Sequence, residues 1–422
     1  MEEYKTYTLE EISKGKGSYG IAASAVPFDS SLYTYLRITD INDDGSLNKT
    51  GLTSVDEDNA GNYLLKPNDI VFARTGNSTG RAYFYDGSDG ELVYAGFLIK
   101  FSLDEEKVNP RILKYYTHSK PYYDWVRSFD TGGTRGNINA KTYAAMPIVL
   151  PPRNIQDQIV SLLKSLDDKI ELNRRVNENL EQQAQALFKS WFVDFEPFKD
   201  GEFVESELGR IPKGWRVYSM NEIVEVIGGY SYKGSELQES TTAMATIKNF
   251  ERKGGFKIDG FKEIIPSLKA KEEQFLHKFD VLIAHTDLTQ NADIIGNPAL
   301  LLHFGKYERL IMSMDLVKAK SKAESLTNGL LYSIFADCRF KSHALGYVNG
   351  TTVLHLSKKA IPEYKLALPC NLTIIKPYGE LLNSLFTKEA EILEENDRLA
   401  TLRDTLLPKL MSGELKVNEV EI

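Results

Sequence analysis

Two short stretches carry the side chains best shaped for reading DNA bases. Residues 74–81 (RTGNSTGR) hold two arginines, an asparagine, three hydroxyl side chains and two glycines. Arginine and asparagine match the edges of guanine and adenine in a bidentate fashion, and glycine lets a backbone approach closely. Residues 134–141 (TRGNINAK) repeat that chemistry. In the second half of the chain the corresponding stretches are 285–291 (HTDLTQN) and 349–352 (NGTT). For each of them the plain alternative is a polar hairpin tip. His285 and Asp287 also have the types of an acid–base or metal pair, but no third ligand is near them in the sequence.

Motifs for chemistry of the chain's own are missing. No phosphate-cradling GxxxxGK[ST] occurs, and no dinucleotide fingerprint opens a strand–helix unit. The Asn-Pro-Pro-aromatic tetrapeptide that would serve methylation of an exocyclic amine is absent, and Asn297-Pro298-Ala299-Leu300 is not one. No nucleophile–base arrangement stands out. The chain reads as a binder.

The elements that position these loops come in two sets. In the first, residues 64–69 (LLKPND) are a turn signal before the buried strand 70–73 (IVFA), and 82–85 and 92–99 are further strands. Residues 110–123 begin as a helix that Pro121 breaks, and 147–150 (PIVL) form a strand stopped by Pro151 and Pro152. The second set repeats the first. At an offset of 211, residues 215–223 overlay 4–12 and 280–287 overlay 69–76; at 218, residues 366–369 overlay 148–151. The second copy is thus about seven residues longer between those points. At the loop, Arg74 becomes His285 and Gly76 becomes Asp287.

Between the copies lies residues 154–191. Steps of four and three from Ile159 reach Leu163, Leu166, Ile170, Asn173, Asn177, Leu180, Ala184, Leu187 and Trp191, with no Pro or Gly inside. This seven-residue repeat predicts a long helix that needs a partner helix. Residues 378–411 supply it. An ungapped shift of 219 places Leu163 on Leu382, Leu166 on Leu385, Asn177 on Asn396, Leu180 on Leu399, Leu187 on Leu406 and Trp191 on Leu410, and Ile392 also lies in this run. The chain is an internal duplication whose period means repeated domains. Asparagines on such a seam set register at some cost in stability.

Composition bounds the partners. The net charge is −8 over 422 residues. Residues 201–370 carry 22 Lys/Arg against 20 Asp/Glu, and residues 1–152 carry 16 against 20. No segment is strongly basic, so DNA contact needs a local positive surface or basic partners. Cys338 and Cys370 show neither metal-ligand spacing nor a disulfide framework, which fits a reducing cytosol. No apolar run approaches the ~18 residues of a membrane span. A cytoplasmic location is expected.

With these motifs in hand, the chain resembles the specificity subunit of type I restriction–modification enzymes over essentially its whole length. The segments that carry the resemblance are DIVFARTGNSTGRAYF, ELVYAGFLIKF, GGTRGNINAKT with PIVLPP, LNRRVNENLEQQAQALFKSWFVDFEPF and LRDTLLPKLMSGEL. The second domain departs from the family pattern in the loop after Asp280. The resemblance implies a mixed α/β (α+β) fold. Two pseudo-repeated target-recognition domains each read one half of a split, asymmetric DNA site. Two long helices pair as an antiparallel coiled coil that sets the gap. If Leu166 lies near Leu406, then Asn173 and Asn177 fall close to Asn396.

The implied domains are 1–152 (first recognition domain), 153–200 (central helix and aromatic linker), 201–370 (second recognition domain) and 371–422 (C-terminal helix and tail). The implied partners are double-stranded DNA, two modification (methyltransferase) subunits and motor–nuclease restriction subunits. The chain itself is expected to be non-catalytic and without a cofactor, with S-adenosylmethionine, ATP and Mg on the partners. The expected DNA contacts of the first domain are Arg74, Thr75, Asn77, Ser78, Arg81, Arg135, Asn137, Asn139 and Lys141. Those of the second are Tyr232, Lys233, Lys248, His285, Thr286, Thr289, Gln290, Asn291, Thr351 and Thr352. Expected seam residues are Ile159, Leu163, Leu166, Ile170, Asn173, Asn177, Leu180, Leu187, Leu385, Ile392, Asn396, Leu399, Leu406 and Leu410. The alternatives are a methyltransferase-like enzyme with its own recognition domain and a coiled-coil scaffold with no DNA role.

Overall fold

The computed structural model describes residues 4–130, 136–252, 254–289 and 291–420. The chain divides into two compact units, one of residues 1–169 with 399–422 and one of residues 170–398.

In the first unit, strand Asp69–Ala73 lies between Leu98–Ser102 and Ala82–Tyr85 in a four-stranded antiparallel sheet that Ser18–Tyr19 completes. Its run of apolar residues is continuous because both faces are covered. Ile70 and Phe72 join one core with Ile99, Phe101 and the long helices, while Val71 and Ala73 join another with Leu36, Tyr83 and Leu98. A second sheet is ordered Val26–Pro27, Thr53–Val55, Tyr33–Leu36, Leu92–Tyr94, and its last pair is parallel. Strand Lys5–Thr8 pairs antiparallel with Pro147–Leu150. The predicted strand over 92–99 is broken by a turn into Leu92–Tyr94 and Leu98–Ser102. Pro121 opens helix Lys120–Arg127 in place of breaking one. In a first turn its missing N–H leaves no hydrogen bond unmade.

The second unit repeats this plan. Val224–Gly228, Leu316–Ser321, Val281–Ala284 and Pro298–Leu300 form the antiparallel sheet in the same order. Thr242–Ala245 pairs parallel with Arg309–Met312, and Trp215–Ser219 antiparallel with Lys365–Pro369. Val281 and Ile283 face one core, Leu282 and Ala284 the other. The alternation of the first unit is therefore kept residue for residue.

The long helices are Arg153–Phe192 and Lys376–Ser412. In the first unit Ile159, Val160, Leu163 and Leu166 share a core with Leu406, Leu407 and Leu410. In the second, Ala184, Phe188 and Phe192 share one with Tyr378, Leu382, Phe386 and Ala390. The start of one helix thus packs with the end of the other, and they run antiparallel. Both are built into the domain cores as well as paired. At Gly329 and Gly379 the packing is so close that an added Cβ would lie 2.6 Å from Asn383 Oδ1 and 2.7 Å from Thr327 Oγ1.

The seam departs from the predicted steps toward its domain end. Ile170, Asn173 and Asn177 are buried, and Ala184 follows, but then Phe188 and Phe192 occupy the core in place of Leu187 and Trp191. A straight helix drifts ~20° per heptad from a strict seven-residue repeat, and here the stacked Phe188–Phe192 pair, 5.3 Å between centroids, takes up that drift. Leu180, Leu385 and Leu399 are half-buried, whereas Ile392 is buried. Asn173 Nδ2 donates to Asn396 Oδ1 (2.9 Å) and to Glu395 Oε2 (2.7 Å). Asn177 Nδ2 reaches the Glu389 carbonyl at 3.4 Å, not Asn396. Among the described residues no helix is long and apolar enough to cross a membrane.

Candidate nucleic-acid interface

In the first unit the base-reading chemistry gathers at the end of strand Asp69–Ala73. The next residue, Arg74, is held by its backbone: its N–H donates to Phe97 O (3.1 Å) and its carbonyl accepts from Ile138 N (3.0 Å). Its guanidinium lies 5.1 Å from the centre of the Tyr19 ring. Tyr19 Oη accepts from Ala140 N at 3.1 Å, which fixes that ring against the loop before helix Ala140–Ala144. Four separate segments therefore meet at one cation. Asn137, Asn139 and Lys141 are exposed beside it. Asn139 also caps the helix, its Oδ1 accepting from Thr142 N at 2.9 Å.

The loop from 75 to 81 is tightly braced. Thr79 Oγ1 donates to the carbonyl of Gly76 (2.8 Å) and sits 3.2 Å from that of Gly136, which ties the two predicted loops together. Tyr122 Oη donates to Gly80 O at 2.6 Å. Gly80 has φ of +87°, and a Cβ there would meet Val126 at 2.5 Å, so only glycine fits. Asn77 is exposed at the tip and Thr75 is half-buried.

Two expected contacts are corrected. Ser78 is buried at 7% exposure, inside the short turn Gly76–Ser78, and has no free face for DNA. Arg81 is engaged within the protein: Nη1 donates to Ile41 O (3.0 Å) and Nη2 pairs with Asp43 (2.6 Å). Its guanidinium braces the loop near residue 41 and does not project as a reader. Arg135 lies outside the described residues.

The second unit builds the same frame around a different side chain. His285 N donates to Asp315 O (2.8 Å), and Leu356 N donates to His285 O (2.9 Å). These are the two bonds that hold Arg74. Burial first, then the neighbours His355 and Lys358, hold the His285 imidazole below its usual pKa. Asp287 is buried at 1% exposure. It accepts from Thr289 N (2.8 Å), Thr289 Oγ1 (2.8 Å), Ile294 N (2.7 Å) and Ile295 N (3.3 Å). Burial pushes its carboxyl up, but these donors outweigh it and hold the group below the usual range. Asp287 is thus the internal anchor of loop 287–295. Among the described residues no three His, Cys, Asp or Glu side chains could together hold a metal ion.

A half-buried ammonium completes the bracing. Lys341 Nζ, on helix Cys338–Leu345, donates to the carbonyls of Ala292 (3.1 Å), Asp293 (3.1 Å) and Ile295 (2.7 Å) and to Asn297 Oδ1 (2.8 Å). Thr286 is buried, with Oγ1 donating to Asp315 Oδ1 at 3.1 Å, and Thr289 is spent on Asp287, so both are corrected from readers to braces. Asn291 is exposed; Gln290 lies outside the described residues. Lys233 and Lys248 are exposed, and Tyr232 is half-buried with Lys262 5.8 Å from its ring centre.

Thr351 and Thr352 are exposed, but they are not the counterparts of 137–141. The bond from Leu356 N matches that from Ile138 N, so Asn137 corresponds to His355, and Ala140 and Lys141 to Lys358 and Lys359. All three second-unit residues are exposed. Sequence reasoning missed them, and it missed Tyr19. The offset of 218 seen in the closing strand would have found the first three if applied from residue 137 onward.

Residues 1–182 match the family model described as the type I restriction modification DNA specificity domain. The type I restriction enzyme MjaIX specificity subunit of Methanocaldococcus jannaschii is 27% identical over 331 residues, covering 75% of this chain and 72% of its own. The HindI specificity subunit of Haemophilus influenzae is 25% identical over 485 residues, covering 98% and 100%. Among solved structures, the S subunit of the type I restriction–modification system from M. genitalium superposes with a TM-score of 0.53 at 15% identity, over 97% of this chain and 96% of that one. That last likeness speaks for the fold. Together the sequence comparisons favour the specificity subunit over the methyltransferase-like alternative: the chain is similar to type I restriction–modification specificity subunits along most of its length.

Proposed function

We propose that this chain gives a type I restriction–modification complex its DNA sequence specificity, reading a split site with one recognition domain per half. The observation that carries this reading is the doubled frame. Identical backbone bonds present Arg74 with Tyr19 and Asn137 in one unit and His285 with His355 in the other. One scaffold with two different sets of tips reads two different half-sites, so the target is asymmetric. Arg74, Thr75, Asn77, Asn137, Asn139 and Lys141 are the first-domain contacts. Tyr232, Lys233, Lys248, His285, Asn291, Thr351, Thr352, His355, Lys358 and Lys359 serve the second.

The paired helices space the half-sites and dock two modification subunits, and motor–nuclease subunits join that assembly. S-adenosylmethionine, ATP and Mg belong to these partners, and this chain catalyses no step. With a net charge of −8, much of the phosphate attraction that drives DNA affinity comes from the partners. The test is selection from a pool of randomised duplexes by the chain bound to its modification subunit. Two fixed blocks separated by a gap of constant length are expected. Recovery of random sequence would sink the reading.

A further inference from the structure

We propose that Phe97 and Met314 are specificity-determining residues, each pressing an apolar side chain on the 5-methyl group of a thymine in its domain's half-site. The inference rests on the DNA-reading function proposed above and names two side chains that it did not use.

The two residues occupy equivalent turns. In the first unit the turn is 95–98, closed by Leu98 N donating to Ala95 O at 2.8 Å. In the second it is 313–316, closed by Leu316 N donating to Ser313 O at 3.0 Å. Each turn carries the carbonyl that fixes the central reader: Phe97 O accepts from Arg74 N, and Asp315 O accepts from His285 N. Each is gripped from the other side as well, by Gly20 N on Leu98 O (3.3 Å) and Gly229 N on Leu316 O (3.2 Å). The turns are therefore rigid mounts beside the proposed contact residues.

At both mounts a large apolar side chain faces outward. Phe97 is 57% exposed and Met314 is 55% exposed. A single exposed hydrophobic residue is ordinary and needs no explanation. Recurrence at one turn of a duplicated scaffold does. Packing does not require it, because the apolar residue has changed place: Phe97 aligns with Asp315, and Met314 with Gly96. The backbone tolerates glycine, aspartate, phenylalanine and methionine there, yet each copy keeps one apolar tip. What is retained is apolar surface beside a polar reader. On duplex DNA the apolar feature of a base edge in the major groove is the thymine methyl, which apolar side chains contact. A flat Phe and a flexible Met thioether suit that contact in different surroundings.

The test uses the full chain bound to its modification subunit and a cognate duplex in which each thymine in turn is replaced by uracil, which lacks only the methyl group. The wild-type complex should lose affinity about fourfold, the worth of one buried methyl-sized group, at one position in each half-site. Phe97→Ala should carry that loss already and ignore the replacement in the first half-site, while still sensing the one in the second. Met314→Ala should show the reverse. Phe97→Leu, which keeps an apolar tip, should retain the uracil effect. If no uracil replacement weakens the wild-type complex, or if Phe97→Ala and Met314→Ala keep the wild-type pattern, the inference is overturned while sequence reading stands. A wild-type complex that cannot tell cognate from scrambled duplex overturns the reading and the inference together.

Discussion

Arg74 and Arg81 lie seven residues apart in one glycine-rich loop, and from the sequence they had the same chemistry. Their surroundings separate them. Arg74 stacks on Tyr19, and its buried Nε has no hydrogen-bond partner among the described residues. Arg81 instead donates to Ile41 O and pairs with Asp43. Arg74→Ala in the assembled complex is therefore expected to relax one base position of the first half-site, by about 1–3 kcal/mol of discrimination, and to leave the second half-site unchanged. Competition binding with singly substituted duplexes reads this directly. Arg81→Ala is expected to act on stability, lowering thermal unfolding of the chain with the base preference at each position kept. The candidate site was half legible at this scale. Residue types marked the loops around 74 and 137, but the frame of backbone bonds could not be seen. The extra residues of the second copy hid the counterparts of 137–141. Phe72 pairs with Ala82 whereas Ile283 pairs with Pro298, so that hairpin is five residues longer, and every later offset shifts.

At the scale of elements, the long helices carry polar groups where a coil wants apolar ones. Asn173 and Asn396 are paired on the seam. Replacing both by leucine is expected to raise the thermal unfolding temperature while allowing other registers or oligomers, which unfolding and light scattering together would show. A fall in stability would mean that the Asn173–Glu395 bond matters more than the asparagine pair. Nearby, burial and then the charge of Glu181 push the Glu389 carboxyl up to about 8. Glu181 itself accepts from Tyr332 Oη at 2.9 Å.

An acid whose pKa is raised on folding stabilises the fold fully below its unfolded value near 4.3. That contribution is lost as pH rises through the folded value. Glu389→Gln should thus raise the unfolding temperature at pH 8 by about 3 °C or more and change it little at pH 5. Equal effects at both pH values would contradict a protonated Glu389. The heptad steps made the helices and their partnership legible. The switch from Leu187 to Phe188 was not, because there the helix packs into the second unit's core as well as on its partner helix.

For the whole molecule, duplication is the governing fact. It was visible in the sequence as offsets of 211, 218 and 219 between matching segments, and it recurs in the structure as sheet order, strand alternation and the frame around Arg74 and His285. The tips diverged while the frame stayed. That division of labour is the central claim, and genome-wide mapping of methylated adenines tests it most directly. The comparison is a host carrying this chain with its modification subunit against the same host carrying the subunit alone. The expected result is one new motif of two unlike blocks separated by a gap of fixed length, with Arg74→Ala altering one block only. No new motif, a single continuous block, or an Arg74→Ala change in both blocks would contradict the account.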